Sequence, residues 1–326
     1  MQTGFWKKLK RPIFVLAPMA NVTDCAFRKI IAEYGKPDVM WTEFVSCDGL
    51  QSPGKDKLMI DLRYSKAERP IVAQIFGSKP DNFYKTALLL QELGFDGIDI
   101  NMGCPDRNVE KQGAGAAMIK TPQLAAECIL ATKRGAGKLP VSVKTRVGFN
   151  QNELNTWLPH LLETEPVAIT IHARTRKEMS LVPAHWEDIA RAVDIRNRYD
   201  ANKNHTLILG NGDVKDLNDA KGKIAETGAD GVMIGRGIFG NPWLFNRRRK
   251  KPITVPEKLS VLIEHTRLFE KMLGEHKDFS IMKKHFKAYV NGFPGAKELR
   301  VELMEKGFTA NDVKAIIQNF LKLNQL

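Results

Sequence analysis

Residues 99–116 read Asp-Ile-Asn-Met-Gly-Cys-Pro-Asp-Arg-Asn-Val-Glu-Lys-Gln-Gly-Ala-Gly-Ala. A thiol with an ordinary pKa of ~8.5 is mostly protonated at neutral pH yet gives up its proton readily, so Cys104 has the chemistry of a general acid. Gly103 permits an unusual backbone turn and Pro105 cannot continue a strand, which places this thiol outside regular structure, with Asn101 on the same loop. The other three cysteines lack such a setting: Cys25 and Cys128 fall in helical patterns, and Cys47 follows a strand. No two cysteines have C-x-x-C spacing and no histidines have metal-ligand spacing, which argues against a metal site.

More polar residues recur at the ends of short apolar runs: Pro18-Met19-Ala20, Gln74, Lys144 and Arg146, His172 and Arg174, Asn211-Gly212-Asp213, and Gly235-Arg236. The set suits a flavin mononucleotide (FMN). Gly210, Gly212, Gly235 and Gly237 let backbone N–H groups approach a phosphate, and Arg236 adds charge there. Lys144 places positive charge beside the pyrimidine end of the isoalloxazine, which stabilises a reduced, anionic flavin. Gln74 and His172 offer directional hydrogen bonds to the ring, and Pro18-Met19-Ala20 offers an apolar bed. The run from Gly113 to Met118 lacks the third glycine of a dinucleotide fingerprint and does not directly follow a strand. A nicotinamide reductant is therefore expected to bind transiently in the flavin mouth.

Positioning these residues requires alternating elements. Strands are expected over Ile13–Ala17, Val39–Glu43, Ile71–Phe76, Gly97–Asn101, Val141–Lys144, Ala168–His172, Thr206–Gly210 and Gly231–Gly235. Between them Asp24–Tyr34, Pro80–Leu93, Pro122–Arg134, Asn152–Glu163, Trp186–Tyr199 and Val214–Thr227 carry apolar residues at helical spacing. Eight strands with crossover helices predict an α/β fold, a (β/α)8 TIM barrel, with a doubly wound sheet as the alternative. In such a barrel the strand ends share one mouth. The pattern breaks at Arg247-Arg248-Arg249-Lys250-Lys251-Pro252, beyond which only helices are expected, over Glu257–Leu273, Phe279–Asn291, Ala296–Lys306 and Asn311–Leu323. This divides the chain into a catalytic barrel, residues 1–246, and a small all-helical C-terminal domain, residues 247–326.

The 326 residues carry a net charge of +13, which fits either a phosphate-rich partner such as RNA or a solvated lysine-rich surface. The run Arg247–Lys251 has the same two readings. No apolar stretch approaches the ~20 residues of a membrane span and no secretory leader precedes the first strand, so a cytoplasmic location is expected, with no membrane and no obligate protein partner. Four cysteines are too few for a disulfide scaffold. Trp157, Trp186 and Trp243 read as packing residues.

The Asn-Met-Gly-Cys-Pro run, with Val109, Gly113, Gly115 and Ala116 after it, resembles the signature of the tRNA-dihydrouridine synthases, flavin enzymes that reduce a uracil ring inside tRNA. Ala-Pro-Met-Ala (17–20) with Thr23-Asp24 and Phe27-Arg28 is similar to the family's amino-terminal motif. Val-Lys-Thr-Arg (143–146), His-Ala-Arg-Thr-Arg (172–176), Gly-Asn-Gly-Asp (210–213) and Gly-Arg-Gly (235–237) are similar to its later ones. The resemblance implies an FMN enzyme with NADPH as reductant and tRNA as partner, in which Cys104 is the proton donor. It implies that Pro18, Met19, Ala20, Gln74, Lys144, Asn211, Gly212, Asp213, Gly235 and Arg236 bind FMN. His172 joins them as a flavin-site residue, and Asn101, Arg146 and Arg174 are assigned to the substrate. His285, Tyr289, Pro294-Gly295-Ala296 and Arg300 are similar to the family's helical tRNA-binding domain. One departure is Lys-Glu-Met-Ser-Leu-Val-Pro (177–183), where the family usually has an aromatic-and-glycine segment. A flavin barrel acting on a free pyrimidine, of the dihydroorotate dehydrogenase type, is the alternative, and it has no use for a basic helical domain.

Overall fold

The computed structural model describes residues 3–199 and 206–325. Eight strands form one all-parallel sheet: β1 (Ile13–Leu16), β2 (Met40–Ser46), β3 (Ile71–Phe76), β4 (Gly97–Met102), β5 (Val141–Arg146), β6 (Ala168–His172), β7 (Leu207–Asn211) and β8 (Gly231–Ile234). Each pairs with its sequence neighbours, β8 pairs with β1, and a parallel bridge between Val15 and Val39 closes the ring at β1 and β2. This is the expected (β/α)8 barrel.

Strand alternation sorts the side chains into two cores. Ile13, Val15, Trp41, Val72, Leu209 and Met233 face the interior. Phe14, Leu16, Ile75, Ile98, Ile100, Ile171 and Ile234 face outward, against the helices. Six crossover helices stand where expected, among them α1 (Cys25–Tyr34), and Asp24 caps α1 by accepting from the Phe27 N–H. In the β2–β3 crossover, two single-turn helices, α2 (Cys47–Leu50) and α3 (Lys55–Leu58), precede α4 (Pro80–Glu92). They are too short for helical periodicity to reveal. Another, α5 (Arg107–Glu110), lies in the cysteine loop before α6 (Pro122–Gly135), α7 (Leu154–Glu163), α8 (Trp186–Tyr199) and α9 (Leu217–Thr227). A 3₁₀ turn at Gly4–Lys8, also unforeseen, sends Trp6 into the barrel interior against Trp41, at 6.1 Å between ring centres.

After residue 247 come α10 (Val255–Leu273), α11 (Lys283–Tyr289), α12 (Ala296–Lys306) and α13 (Ala310–Leu323). The second expected helix of this region, Phe279–Asn291, is split: Phe279–Met282 is a 3₁₀ turn leading into α11. Thr309 caps α13 in a reciprocal capping box with Asp312. These helices share a second core with Cys25, Ala26 and Ile30 of α1 and with Ile60 and Trp243. Trp157, Trp186 and Trp243 are all buried. Within the basic run, Arg247 pairs with Asp38 and Arg249 with Glu257, leaving Arg248, Lys250 and Lys251 exposed without an ion pair among the described residues. No helix among the described residues is long and apolar enough to cross a membrane.

Candidate active site

Strand register builds the site in layers. Gln74 of β3 lies beside Asp99 of β4, and Asp99 beside Ser142 of β5. One layer toward the carboxyl edge, Asn101 lies beside Lys144. Arg146 lies beside His172, His172 beside Asn211, and Asn211 beside Met233. A cavity of about 330 Å³ opens at this edge, lined by Pro18, Met19, Lys144, Arg146, His172, Arg174, Asn211, Gly212, Asp213, Gly235 and Arg236. Eleven of the residues expected to act together thus share one chamber. Ala20 is exposed beyond the lining residues, Gln74 and Asn101 are buried behind it, and Cys104 is half-buried next to Pro105 in its wall.

Lys144 is the most telling of these side chains. Its ammonium makes no hydrogen bond or ion pair among the described residues, and burial, helped by the Arg146 guanidinium, pushes it down to about 8. The side chain is half-buried and lines the cavity, so its ammonium is available to an electron-rich group there. Burial pushes the Cys104 thiol up, while Lys144 and Arg146 pull in the opposite direction. The thiol is therefore protonated at rest, and the nearby cations favour the thiolate left after it gives up its proton.

His172 is driven well below its usual value, by burial first and then by Lys144, Arg146, Arg174 and Arg236. Arginine can only donate, so the 3.2 Å contact from Arg174 makes His172 Nε2 an acceptor and puts the imidazole proton on Nδ1. The arginines assigned to substrate are engaged with the protein itself. Arg174 donates to the Val182 carbonyl at 2.6 Å and to the Asp213 carboxylate. Arg146 donates to Gly103 O at 2.8 Å, Thr175 O at 3.0 Å and Met179 O at 3.2 Å, tying the cysteine loop to the loop after β6. Arg176 fastens the same two loops through Glu110 at 2.6 Å. Asp213 also accepts from Arg236 at 2.6 Å, so the carboxylate aims the guanidinium expected to meet a phosphate.

The glycines divide between the two readings. A Cβ on Gly210 would stand 2.4 Å from the Trp186 ring and one on Gly237 2.6 Å from Val214 O, so tight packing explains both. Gly235 has only Ala17 and Met19 within 3.6 Å and leaves room for a ligand. Gly103 has no positive φ; its glycine is required because the Thr145 backbone passes 3.2 Å from where a Cβ would be. The special turn belongs to Gly115, at φ +61, where a Cβ would meet Cys104 O at 2.7 Å and Val109 Cγ1 at 2.8 Å. Gly115→Ala is expected to cost about 1–3 kcal/mol through this overlap and the left-handed backbone. Denaturant unfolding checks it, and an unchanged midpoint contradicts it.

Sequence reasoning missed Asp99, Ser142, Met179 and Ser180. The first two hide in strands that read as apolar, although Asp99-x-Asn101 and Ser142-x-Lys144-x-Arg146 carry a period of two that marks one face. Met179 and Ser180, which line the cavity, sit in the segment where the chain departs from the family pattern. Among the described residues no three His, Cys, Asp or Glu side chains converge as metal ligands.

Comparison with known proteins places the chain among relatives of one family. The model of the family described as dihydrouridine synthase matches residues 15–325. A probable tRNA-dihydrouridine synthase of Staphylococcus aureus (strain MRSA252) is 43% identical over 323 residues, 98% of this chain and 96% of that one. The probable tRNA-dihydrouridine synthase 2 of Bacillus subtilis (strain 168) is also 43% identical over 323 residues, covering 98% and 97%. Among solved structures, histamine dehydrogenase from Rhizobium sp. 4-9 superposes with a TM-score of 0.53 at 13% identity, over 78% of this chain and 49% of that one. A 2-naphthoyl-CoA reductase complex gives 0.52 at 11%, over 72% and 49%. The chain spans about half the length of these two structures, and at such identity the likeness shows the fold alone.

Proposed function

The chain belongs to the dihydrouridine synthase family, and from that premise we propose that it reduces the C5–C6 double bond of a uridine in tRNA, using FMN and NADPH, with Cys104 as proton donor. One observation carries the chemical part: a half-buried Lys144 ammonium, with no hydrogen bond or ion pair among the described residues, lines the same cavity wall as Arg146 and Pro105, next to the Cys104 thiol, at the carboxyl edge of a parallel barrel. The donor set fits FMN. Lys144 would face the pyrimidine end of the ring, Pro18 and Met19 would pack on it, and Gly235 with Arg236 would take the phosphate. When bound, FMN supplies the hydride to uracil C6. Cys104 Sγ delivers the proton to C5, and Lys144 and Arg146 stabilise the thiolate that remains. Arg146 holds the cysteine loop in place, Arg174 fixes the His172 tautomer, and Asp213 aims Arg236. Flavin extracted from the purified protein tests the cofactor: FMN at about one equivalent per chain supports this reading, and a protein that neither carries nor takes up FMN contradicts it.

The helical segment 247–326 is proposed as the tRNA-binding unit. Lys283, Lys284, Lys287, Lys297 and Arg300 line a groove of about 720 Å³ together with the exposed Val301 and Met304. Five cations around one groove match an RNA backbone. Replacing Lys287 and Lys297 with alanine is expected to weaken tRNA binding and lower the slope of log K against log salt by about 1–2, as two lost phosphate contacts require. An unchanged slope in a salt titration contradicts this placement.

A further inference from the structure

Behind the cavity runs a chain of buried polar groups that ends on the cysteine turn. Asp99 Oδ1 accepts from Ser142 Oγ at 2.5 Å, and Asp99 Oδ2 accepts from Gln74 Nε2 at 2.7 Å. Gln74 Oε1 accepts from Asn101 Nδ2 at 3.1 Å. Asn101 Oδ1 accepts from the backbone N–H of Gly103 at 3.1 Å and of Cys104 at 2.9 Å. Asp99 and Gln74 are fully buried and Asn101 nearly so.

Direction matters in such a chain. Each amide has one donor end and one acceptor end. The turn at Gly103-Cys104 offers only N–H donors, so Asn101 must present its carbonyl there and its NH₂ to Gln74. Gln74 must then present its own carbonyl to Asn101 and its NH₂ away from it. That outward NH₂ needs an acceptor, and Asp99 is the acceptor. No cation hydrogen-bonds this carboxyl among the described residues, although the Lys144 charge favours its ionised form, and an apolar side chain would fill the barrel interior more cheaply. Its presence therefore needs a reason beyond packing.

We propose that Asp99 is a positioning residue for Cys104: its carboxyl sets the polarity of the Gln74–Asn101 amide pair and thereby fixes the turn that presents the thiol. The catalytic importance of the turn rests on Cys104 being the proton donor, but the turn itself can be read without that assumption.

The test is alkylation of Cys104 by iodoacetamide, followed residue by residue by mass spectrometry, in FMN-loaded protein. Cys25, Cys47 and Cys128 are buried and serve as internal reporters of global opening. Asp99→Leu removes the acceptor at similar volume and is expected to change the Cys104 rate by about tenfold, the effect of one buried hydrogen bond lost, with the other three cysteines still silent. Asp99→Asn is expected to stay within about twofold of the parent, because its carbonyl can still accept from Gln74 while its NH₂ donates to Ser142 Oγ. Hydrogen exchange at the Gly103 and Cys104 amides should follow the same order. If Asp99→Leu does not fold, Gln74→Leu severs the same chain one link later and must loosen Cys104 alike, compared with the parent in the FMN-free form of both proteins so that flavin loss does not enter. A folded variant of either kind with parental alkylation and exchange overturns the proposal, as does equal loosening by Asp99→Asn. Because alkylation reports the turn and not turnover, a failure of Cys104 as proton donor would be seen separately, as uridine reduction that survives its removal.

Discussion

Replacing Cys104 with alanine is expected to lower the rate of uridine reduction in tRNA by about 10²- to 10⁴-fold while leaving FMN bound, the range typical of a lost general acid. The structure separates the two functions. Cys104 stands beside the cavity on a turn fixed by Asn101 and Gly115, whereas the groups suited to hold a flavin come from other strands. Flavin content and reduction of the bound flavin by NADPH should therefore survive the substitution, and only the step on tRNA should fail. Single-turnover mixing of the reduced variant with unmodified tRNA makes the measurement. A variant that reduces tRNA at the parental rate would remove Cys104 from the mechanism.

The second large effect concerns Lys144. Lys144→Met removes a half-buried cation that has no hydrogen bond or ion pair among the described residues, and with it the charge that favours an anionic reduced ring. Flavin reduction by NADPH is expected to slow by about 10²- to 10³-fold, comparable with losing a single preorganised charge-stabilising donor. The pH dependence gives an independent check. With its folded value lowered to about 8, Lys144 is an ammonium below that pH and a neutral amine above it. An electron-rich ring beside the ammonium raises that value, so in FMN-loaded protein the rate of flavin reduction should fall as pH rises above about 8. Cys104, displaced upward from the ordinary thiol range by burial, remains a thiol near pH 8 and does not produce that fall. The alkaline limb should disappear in Lys144→Met. An unchanged profile in the variant would assign the limb to another group.

How far the site could be read from sequence follows from what each residue answers to. The eight strands were legible as short runs rich in apolar residues, several with a polar residue at the carboxyl end, as in Ile98–Asn101 and Ile169–His172. That same rule located Lys144, His172, Asn211 and Arg236. It did not separate residues that face the cavity from residues that hold them there, since a strand end only says which edge a side chain occupies. Arg174 and Asp213 read as ligand groups, yet most of their contacts are with Val182, His172, Ala184 and Arg236. Gly210 read as a phosphate contact because its partner, Trp186, lies 24 positions away and becomes its neighbour only when α8 packs on β7. Asp99 stayed hidden for a related reason: its role depends on Gln74 of the adjacent strand, 25 residues earlier.

The most direct test of the central claim is mass analysis of unmodified tRNA after incubation with the purified, FMN-loaded protein and NADPH, with free uridine and orotate as controls. The account predicts a gain of two hydrogens on a uridine of the tRNA and no reduction of the free pyrimidines. Reduction of a free pyrimidine with untouched tRNA would contradict it.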